Sequence, residues 1–383
     1  MKAYLDNNAT TRMAPEVLDS MLPFLTERYG NPSSFHSFGS DVMEEIENSR
    51  DRVARLIGAS PEEIVFTSGG TESDNAAIMG AVAMNPLRPG LLVSTVEHPA
   101  VLRTAEVLEE KGLPVKFTEV HSDGTLDLES YSRQLSETTG IVSVMMANNE
   151  TGVIMPVGEA AEMAREAGCL FHSDAVQAVG KIPVDVGSIG LDLLSLSGHK
   201  FHGPKGVGAL YVRRGVELPP LIAGGHQENG MRGGTYNVPG IIGLGMAAEL
   251  ALEDLSGELA RCSGLLEKLE RGILSSCPGS VLLGGKAPRL PNTCTFLFRG
   301  VESEAVMTLL DIQGICVSSG SACSTGSAAP SHVLTAMGVD PRDAVTAIRF
   351  SLSRYTSERE IDHTLKELHP IIRKLRELSP YAD

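Results

Sequence analysis

The amino-acid sequence predicts an α/β protein built on a mostly parallel sheet, and three observations carry that prediction. From residue 63 onward, short apolar runs rich in β-branched residues alternate with stretches of helical spacing, at separations that fit βαβ crossovers. Glycines and polar residues collect directly after five successive runs, where an open parallel sheet exposes the carboxyl ends of its strands. The 40 glycines and 21 prolines are scattered between apolar runs, as many short connections require.

Each element has a local reason. Asp6-Asn7-Asn8-Ala9-Thr10-Thr11 is rich in turn formers and precedes a helical pattern over 15–28, so the N-terminus is expected to cross the body before the main fold begins. Asn31-Pro32-Ser33-Ser34 opens a loop, and 41–57 shows helical spacing (Val42, Ile46, Val53, Leu56, Ile57) closed by Gly58. Strands are predicted over 63–67, 91–94, 115–120, 141–146, 169–171, 191–196 and 207–213. The helices between them run through Ala76, Ala77 and Ala81, from Pro99 to near Gly112, and near 127–135 and 158–168. A glycine-rich segment, 223–236, is followed by one long helical stretch, about 240–275, leading into a C-terminal lobe. That lobe has strands near 293–298, 315–318 and 347–351. It closes with a helix from Ser357, whose Ser357-Glu358-Arg359-Glu360 is a capping box and whose apolar stripe is Ile361, Leu365, Leu368, Ile372 and Leu375.

A chain of 383 residues predicts two or three lobes. A net charge of -16 without any basic run excludes a nucleic-acid surface, because a phosphate backbone would be repelled. No apolar core of a signal peptide and no run of membrane-spanning length is present, so a cytoplasmic protein is expected. Six cysteines, at 169, 262, 277, 294, 316 and 323, contain no CxxC pair, which fits reduced thiols better than a disulfide frame or a zinc site.

The chemistry concentrates at Ser197-Gly198-His199-Lys200-Phe201-His202-Gly203-Pro204-Lys205-Gly206, a loop between two apolar runs. A lysine held in a partly apolar loop can lose its proton and attack a carbonyl, the requirement for a Schiff base with pyridoxal phosphate. That cofactor also needs an acid for its pyridine nitrogen, a face for its ring and a cradle for its phosphate. Asp174 at a strand end, His98 before a proline-started helix, and Gly69-Gly70-Thr71 opening a helix could supply them. Taken singly, these residues read equally as a turn former, a helix cap and an ordinary glycine turn.

In this order, Ser197-Gly198-His199-Lys200 with Gly203-Pro204-Lys205-Gly206, His172-x-Asp174-x-x-Gln177, Thr67-Ser68-Gly69-Gly70-Thr71-Glu72-Ser73, Glu97-His98-Pro99, Asn148-Asn149-Glu150 and Ser321-Ala322-Cys323 resemble the cysteine desulfurases of the NifS/IscS type. The resemblance spans almost the whole chain, from Tyr4-Leu5-Asp6 to Leu378-Ser379-Pro380. It implies a homodimeric, pyridoxal-phosphate-dependent enzyme of the aspartate-aminotransferase fold (fold type I). The large domain, expected over 15–255, would carry a mostly parallel seven-stranded sheet. The small domain would combine 1–14 with 256–383. Carried over position by position, the resemblance implies that Lys200 forms the internal aldimine, Asp174 pairs with the pyridine nitrogen, and His98 stacks on the ring and handles protons. Gln177 and Asn149 face the ring oxygen, Asn149 being taken over Asn148 by alignment alone. Gly70, Thr71, Ser197 and His199 hold the phosphate, with Thr235 reaching in from a second subunit, and Arg349, together with Asn149, binds the substrate carboxylate. Two positions depart from the pattern: Gly70, a glycine where alanine is frequent, a change that should be harmless, and Ser353, where glycine is common.

Cys323 lies among small residues, Ser318 to Ser327, which cannot build a core and suggest an accessible loop. The resemblance implies that Cys323 attacks the sulfur of bound L-cysteine, leaving alanine and a persulfide for an iron-sulfur scaffold or another acceptor. It would be the one candidate to touch a cluster transiently. Rival readings are a selenocysteine lyase, an aminotransferase, a catalytically silent assembly platform and a dinucleotide dehydrogenase. An aminotransferase needs no thiol there, a silent platform needs neither Lys200 nor Cys323, and no Gly-x-Gly-x-x-Gly follows the first strand.

Overall fold

The computed structural model describes residues 1–319 and 330–379. In chain order the elements are β1 (Ala3–Tyr4), α1 (Pro15–Thr26), α2 (Ser37–Ile57), β2 (Ile64–Thr67), α3 (Gly70–Met84), β3 (Gly90–Ser94), α4 (Pro99–Glu110), β4 (Val115–Thr118), α5 (Leu128–Gln134), β5 (Thr139–Ser143), α6 (Val157–Glu166), β6 (Leu170–Asp174), α7 (Val186–Ile189), β7 (Leu193–Ser197) and β8 (Gly208–Val212). There follow α8 (Val238–Glu253), α9 (Leu255–Ser276), β9 (Ser280–Leu282), β10 (Thr293–Phe298), α10 (Ser303–Ile312), β11 (Ile315–Cys316), β12 (Ser318–Ser319), α11 (His332–Ala336), α12 (Pro341–Ala344), β13 (Ala347–Ser351) and α13 (Glu358–Leu378).

Seven strands form the main sheet in the order β2-β8-β7-β6-β5-β3-β4. All neighbours are parallel except β8, which runs antiparallel to both β2 and β7. The reason is connection length: β7 and β8 are joined by the lysine loop alone, too short for a crossover, so the chain returns as a hairpin-like pair. Side chains alternate across the sheet. Leu91 and Val93 pack with Ala77, Ile78, Val101 and Ala105 of α3 and α4 on one face. Leu92, Phe171 and Leu194 pack with α1, α2, α6 and α8 on the other. The result is a helix–sheet–helix sandwich.

A second sheet, β12-β13-β10-β9, is antiparallel and packs α9, α10 and α13 around Phe296, Phe298 and Phe350. The N-terminal strand β1 pairs in parallel with β11 beside this sheet, so the first residues belong to the C-terminal core. The turn-rich segment after β1 then crosses to the main sheet, where Thr11 N–H donates to the carbonyl of His199 at 2.9 Å.

Boundaries differ from the sequence expectation where tertiary contacts decide. The predicted helix over 240–275 is two helices, because Asp254 leaves helical geometry (φ -118°, ψ 17°). The strand expected at 169–171 is Leu170–Asp174, extended by pairing with β5 and β7. Helix α2 begins at Ser37, where the His36 ring accepts a hydrogen bond from Gly39 N–H, four residues before the apolar pattern starts. Its other end is as expected: Gly58 (φ 69°) takes the left-handed cap.

The glycine-rich segment 223–236 is pinned from within. Glu228 is buried, with φ 48°, and its carboxylate accepts both Arg50 guanidinium nitrogens (2.7 and 2.8 Å) and the Phe66 N–H of β2 (2.7 Å). Arg50 has a second acid, the more exposed Glu47 at 3.1 Å. Glu228→Gln strands a buried guanidinium and is expected to destabilise the protein by about 3 kcal/mol, the low end for breaking a buried pair because Glu47 remains. Urea unfolding of both proteins checks this, and a loss under about 1 kcal/mol would show that Glu47 carries the charge alone.

Candidate active site

The polar ends of β2, β3, β5, β6 and β7 gather at one end of the main sheet. After β2 the chain turns through Gly69, whose φ of 148° disfavours a side chain, and enters α3 at Gly70, leaving the first-turn N–H groups pointing outward. Ser197 is buried at the end of β7, and its hydroxyl, which has no hydrogen-bond partner among the described residues, would lie 3.7 Å from a Cβ at Gly69. Thr71 is exposed on the same first turn. Free N–H groups, two hydroxyls and a helix N-terminus form an anion cradle. A Cβ at Gly70 would come 2.7 Å from Val176 Cγ2, so the glycine leaves no gap here, and alanine would force a stiff β-branched side chain to move. Ser353, the other departure, is not among the described residues of positive φ and needs no glycine.

Also near these strand ends, Asp174 of β6, Asp74 of α3 and His98 each offer a donor atom, all within 4.8 Å of one another. A protonated ring nitrogen or a cation would fit between them. Asp174 is 6% exposed and accepts a hydrogen bond from Val176 N–H at 2.9 Å. Burial raises its proton affinity, and His98 and Lys200 oppose that rise. Asp74 is pushed well up by burial and by Asp174, and its Oδ1 has no hydrogen-bond partner among the described residues. His98 is both the helix cap and the site residue: its Nδ1 accepts from Ala100 N–H at 3.1 Å, which leaves Nε2 to carry the proton of the neutral ring. Burial lowers its proton affinity. Beneath them His172, fully buried and depressed to about 3 by that burial, lies 2.8 Å from Ser143 Oγ and 2.9 Å from Ser195 Oγ.

Glu97 is buried next to this cluster. Its Oε1 accepts from Met145 N–H (2.8 Å) and Ser94 Oγ (2.5 Å), Oε2 has no partner among the described residues, and burial pushes the carboxyl up to about 8. Between the ordinary glutamate value and about 8, the folded chain therefore holds a proton that the unfolded chain has lost, so this group makes stability fall as pH rises through that window. Glu97→Gln is expected to flatten the decline between pH ~5.5 and ~8. Urea midpoints at both pH values check it; an unchanged slope would mean that Glu97 is ionised in the fold.

Lys200 follows β7, and its Nζ donates to the carbonyls of Asn8 (2.6 Å) and Ala9 (3.0 Å). Gln177 Nε2 donates to the same Asn8 carbonyl at 3.0 Å. Of the two adjacent asparagines, Asn148 is fully engaged: its Oδ1 accepts from Glu150 N–H and Thr151 N–H, and its Nδ2 donates to Val96 O. The half-buried Asn149 side chain has no hydrogen-bond partner among the described residues, so it is the one with capacity for a ligand. Arg349 of β13 is 2% exposed, donates to Asn149 O (2.9 Å) and to Asp6 Oδ1 (2.8 Å), and keeps a buried Nε without a partner among the described residues. His199 is half-buried, 3.2 Å from Thr10 Oγ1, and depressed to about 4 by burial and by Lys200.

Two expectations are not brought into this cluster. Thr235 is exposed on the segment pinned by Glu228 and has no hydrogen bond to the other site residues. Cys323 lies outside the described residues. The chain on either side of its segment does reach the site: Ser318 pairs with Arg349, and Ser331 Oγ donates to the buried Glu150 at 2.6 Å. Asp6, Asn8, Asp74 and Lys181 were missed from the sequence. The one signal for Asn8 was its place in the turn-rich N-terminal run, which reads as a solvated crossing.

An α/β enzyme with a lysine, a buried acid and an anion cradle gathered at its strand ends defines the class, and the model of the aminotransferase class-V family matches residues 3–364. The chain is 50% identical over 379 residues to the cysteine desulfurase NifS of Azotobacter vinelandii, covering 99% of this chain and 94% of that protein. It is 53% identical over 383 residues to the cysteine desulfurase of Cereibacter sphaeroides, covering 100% of this chain and 98% of that one. A solved NifS-like protein superposes with a TM-score of 0.91 at 41% identity, covering 98% of this chain and 100% of the other. This chain therefore belongs to the class-V aminotransferase family and, within it, to the NifS-type cysteine desulfurases.

Proposed function

We propose that the protein is a cysteine desulfurase that takes sulfur from L-cysteine with the help of pyridoxal phosphate, and passes it on for iron-sulfur cluster assembly. The observation that carries the reading is the placement of Lys200 and the buried Asp174 beside each other at the strand ends that also carry the Gly69–Gly70 anion cradle. Such a site fits the cofactor: an amine for its aldehyde, a buried carboxylate for its ring nitrogen, and an unpartnered hydroxyl with free N–H groups for its phosphate. Bound there, the cofactor supplies an electron sink that weakens bonds to the substrate's α and β carbons.

The chain's own residues do the rest. Lys200 would hold the cofactor, Asp174 its ring nitrogen, and Gly70, Thr71, Ser197 and His199 its phosphate. Gln177 and Asn149 would face the ring oxygen. Arg349, with further N–H groups beyond those given to Asp6 and Asn149, would take the substrate carboxylate. His98, kept neutral by burial with its proton on Nε2, would pass protons. The Cys323 thiolate would attack the substrate sulfur. The carbon–sulfur bond breaks, its electron pair stays with carbon, which gains a proton, and L-alanine and a Cys323 persulfide remain.

The reading extends to assembly. Leu22, Leu25, Tyr29 and Phe35 are exposed on and just after α1, the kind of apolar patch that a second copy covers, which supports a homodimer with Thr235 reaching the other subunit's phosphate site. We take 15–255 as the large domain and 1–14 with 256–383 as the small one, a division supported by the N-terminal strand packing in the C-terminal core. No described helix is long and apolar enough to cross a membrane, and we place the protein in the cytoplasm.

Borohydride reduction of cofactor-replete protein followed by peptide mass mapping tests the reading. A pyridoxyl adduct on Lys200, with alanine and sulfide released in equal amounts from L-cysteine under a thiol reductant, is the expected result. Absence of that adduct, or alanine without sulfide, would reject it.

A further inference from the structure

We infer that Arg232 is a positioning residue for the phosphate cradle: by holding the Glu72 carboxylate it cancels a negative charge on the first turn of α3, so that the turn can accept a phosphate dianion. This rests on the reading of the Gly69–Gly70 turn as the phosphate site of pyridoxal phosphate.

The first turn of α3 holds a conflict of charge. Gly69 caps the helix, so Gly70, Thr71 and Glu72 are its first three residues. A helix N-terminus favours anions, and the glutamate at its third position is already one. Ser68 N–H donates to Glu72 Oε2 at 3.0 Å, which bends the carboxylate back toward the turn that precedes the cap. Burial by itself raises the proton affinity of Glu72, but hydrogen bonds from Arg232 and Ser68 outweigh it and hold the carboxyl below the usual glutamate value. Glu72 is therefore an anion at neutral pH. A phosphate seated on the N–H groups of the same turn meets that charge at short range, in a setting less screened than bulk water.

Arg232 removes the conflict. Its Nε donates to Glu72 Oε1 at 3.0 Å, and its Nη2 reaches Oε2 at 3.4 Å, so one edge of the guanidinium faces both carboxylate oxygens. The side chains of Arg232 and Glu72 are 25% and 10% exposed, which sets this pair apart from a solvated surface bridge. Among the described residues Arg232 pairs with no other acid, since Glu228, on the same segment, is taken by Arg50 at 2.7 Å. Glu228 also fixes that segment to β2 through Phe66 N–H, so the guanidinium is delivered to the cradle in one position. Glu72 does two things that pull against each other: it orders the turn through Ser68, and it repels a phosphate. Arg232 keeps the first and cancels the second.

The test is the dissociation constant of pyridoxal phosphate, with pyridoxal as the phosphate-free control, titrated into full-length protein stripped of cofactor and read from the aldimine absorbance. Wild type is compared with Arg232→Lys, Arg232→Gln, Glu72→Gln and the double variant Glu72→Gln/Arg232→Gln. Arg232→Gln is expected to weaken pyridoxal phosphate about tenfold and pyridoxal by less than about twofold, with a deficit that shrinks between ~0.05 and ~0.5 M salt. Arg232→Lys and the double variant should stay within about threefold of wild type, because each leaves no unpaired anion on the turn. Glu72→Gln, whose amide oxygen can still accept from Ser68, should bind pyridoxal phosphate as tightly as wild type or more tightly. A double variant as weak as Arg232→Gln would overturn the inference, since the guanidinium would then be needed for itself and not for Glu72. Equal losses of pyridoxal and pyridoxal phosphate in Arg232→Gln would overturn it too, as the mark of a damaged fold. If Arg232→Gln does not fold, Glu72→Gln decides, and weaker binding than wild type counts against the inference. Wild-type protein that holds pyridoxal phosphate no more tightly than pyridoxal would instead reject the turn as a phosphate site.

Discussion

Lys200→Ala is expected to fold and to release sulfide from L-cysteine at less than about one-thousandth of the wild-type rate, the loss expected when a covalent nucleophile is removed. The half-buried side chain makes two hydrogen bonds to the N-terminal crossing, at Asn8 and Ala9, so its removal costs about 1–2 kcal/mol of stability at most. The main sheet, its helices and the anion cradle do not depend on it. The variant should therefore still bind pyridoxal phosphate, through Asp174 and the Gly69–Gly70 turn, but reversibly, so that gel filtration strips it. Sulfide assays, dialysis of the cofactor and a thermal melt together check the result. Retention of a tenth of the activity would place the essential amine elsewhere, and Lys181, 2.7 Å from Gln177, would be the first residue to examine.

Cys323→Ala is expected to abolish sulfide release while leaving covalent cofactor capture at Lys200 untouched, because the cradle and the lysine are built from other parts of the chain. Its segment begins where Ser318 pairs with Arg349 and ends where Ser331 bonds Glu150, so both attachments flank the residue assigned to the substrate carboxylate. Incubation with L-cysteine, alkylation and mass spectrometry would find a persulfide on wild-type Cys323 and none on any cysteine of the variant. Equal sulfide release by both proteins would remove Cys323 from the mechanism. Cys169, Cys262, Cys277 and Cys294 are poor substitutes, since all are buried and burial pushes each thiol up, away from the thiolate.

Where the sequence placed residues correctly, local pattern decided the position. Asp174, His98, Gly70 and Lys200 each stand at the end of an apolar run, and a parallel sheet collects such ends at one place whatever the remaining topology. The same logic was blind to Asp74, which sits in the first turns of α3 and reads as a solvated polar face until α3 packs against β6 and β7. It was equally blind to Asp6 and Asn8, whose partners Arg349 and Lys200 lie 343 and 192 residues away. The break at Asp254 was missed because apolar spacing continues through it.

The sequence by itself determined the class of fold and put Lys200 and Asp174 at strand ends, because each depends on residues within a few positions of one another: β-branched runs, glycines of positive φ, caps. Only the tertiary structure decided how those groups are held. The N-terminal strand pairs with β11, and that pairing carries Asn8 into the gap between the two sheets. There one buried side chain joins Lys181, Asn292, Thr293 and Asn149, while its carbonyl takes Lys200 and Gln177. The physical reason is that buried donors and acceptors must be satisfied together, and which of them meet is settled by packing at long sequence separation.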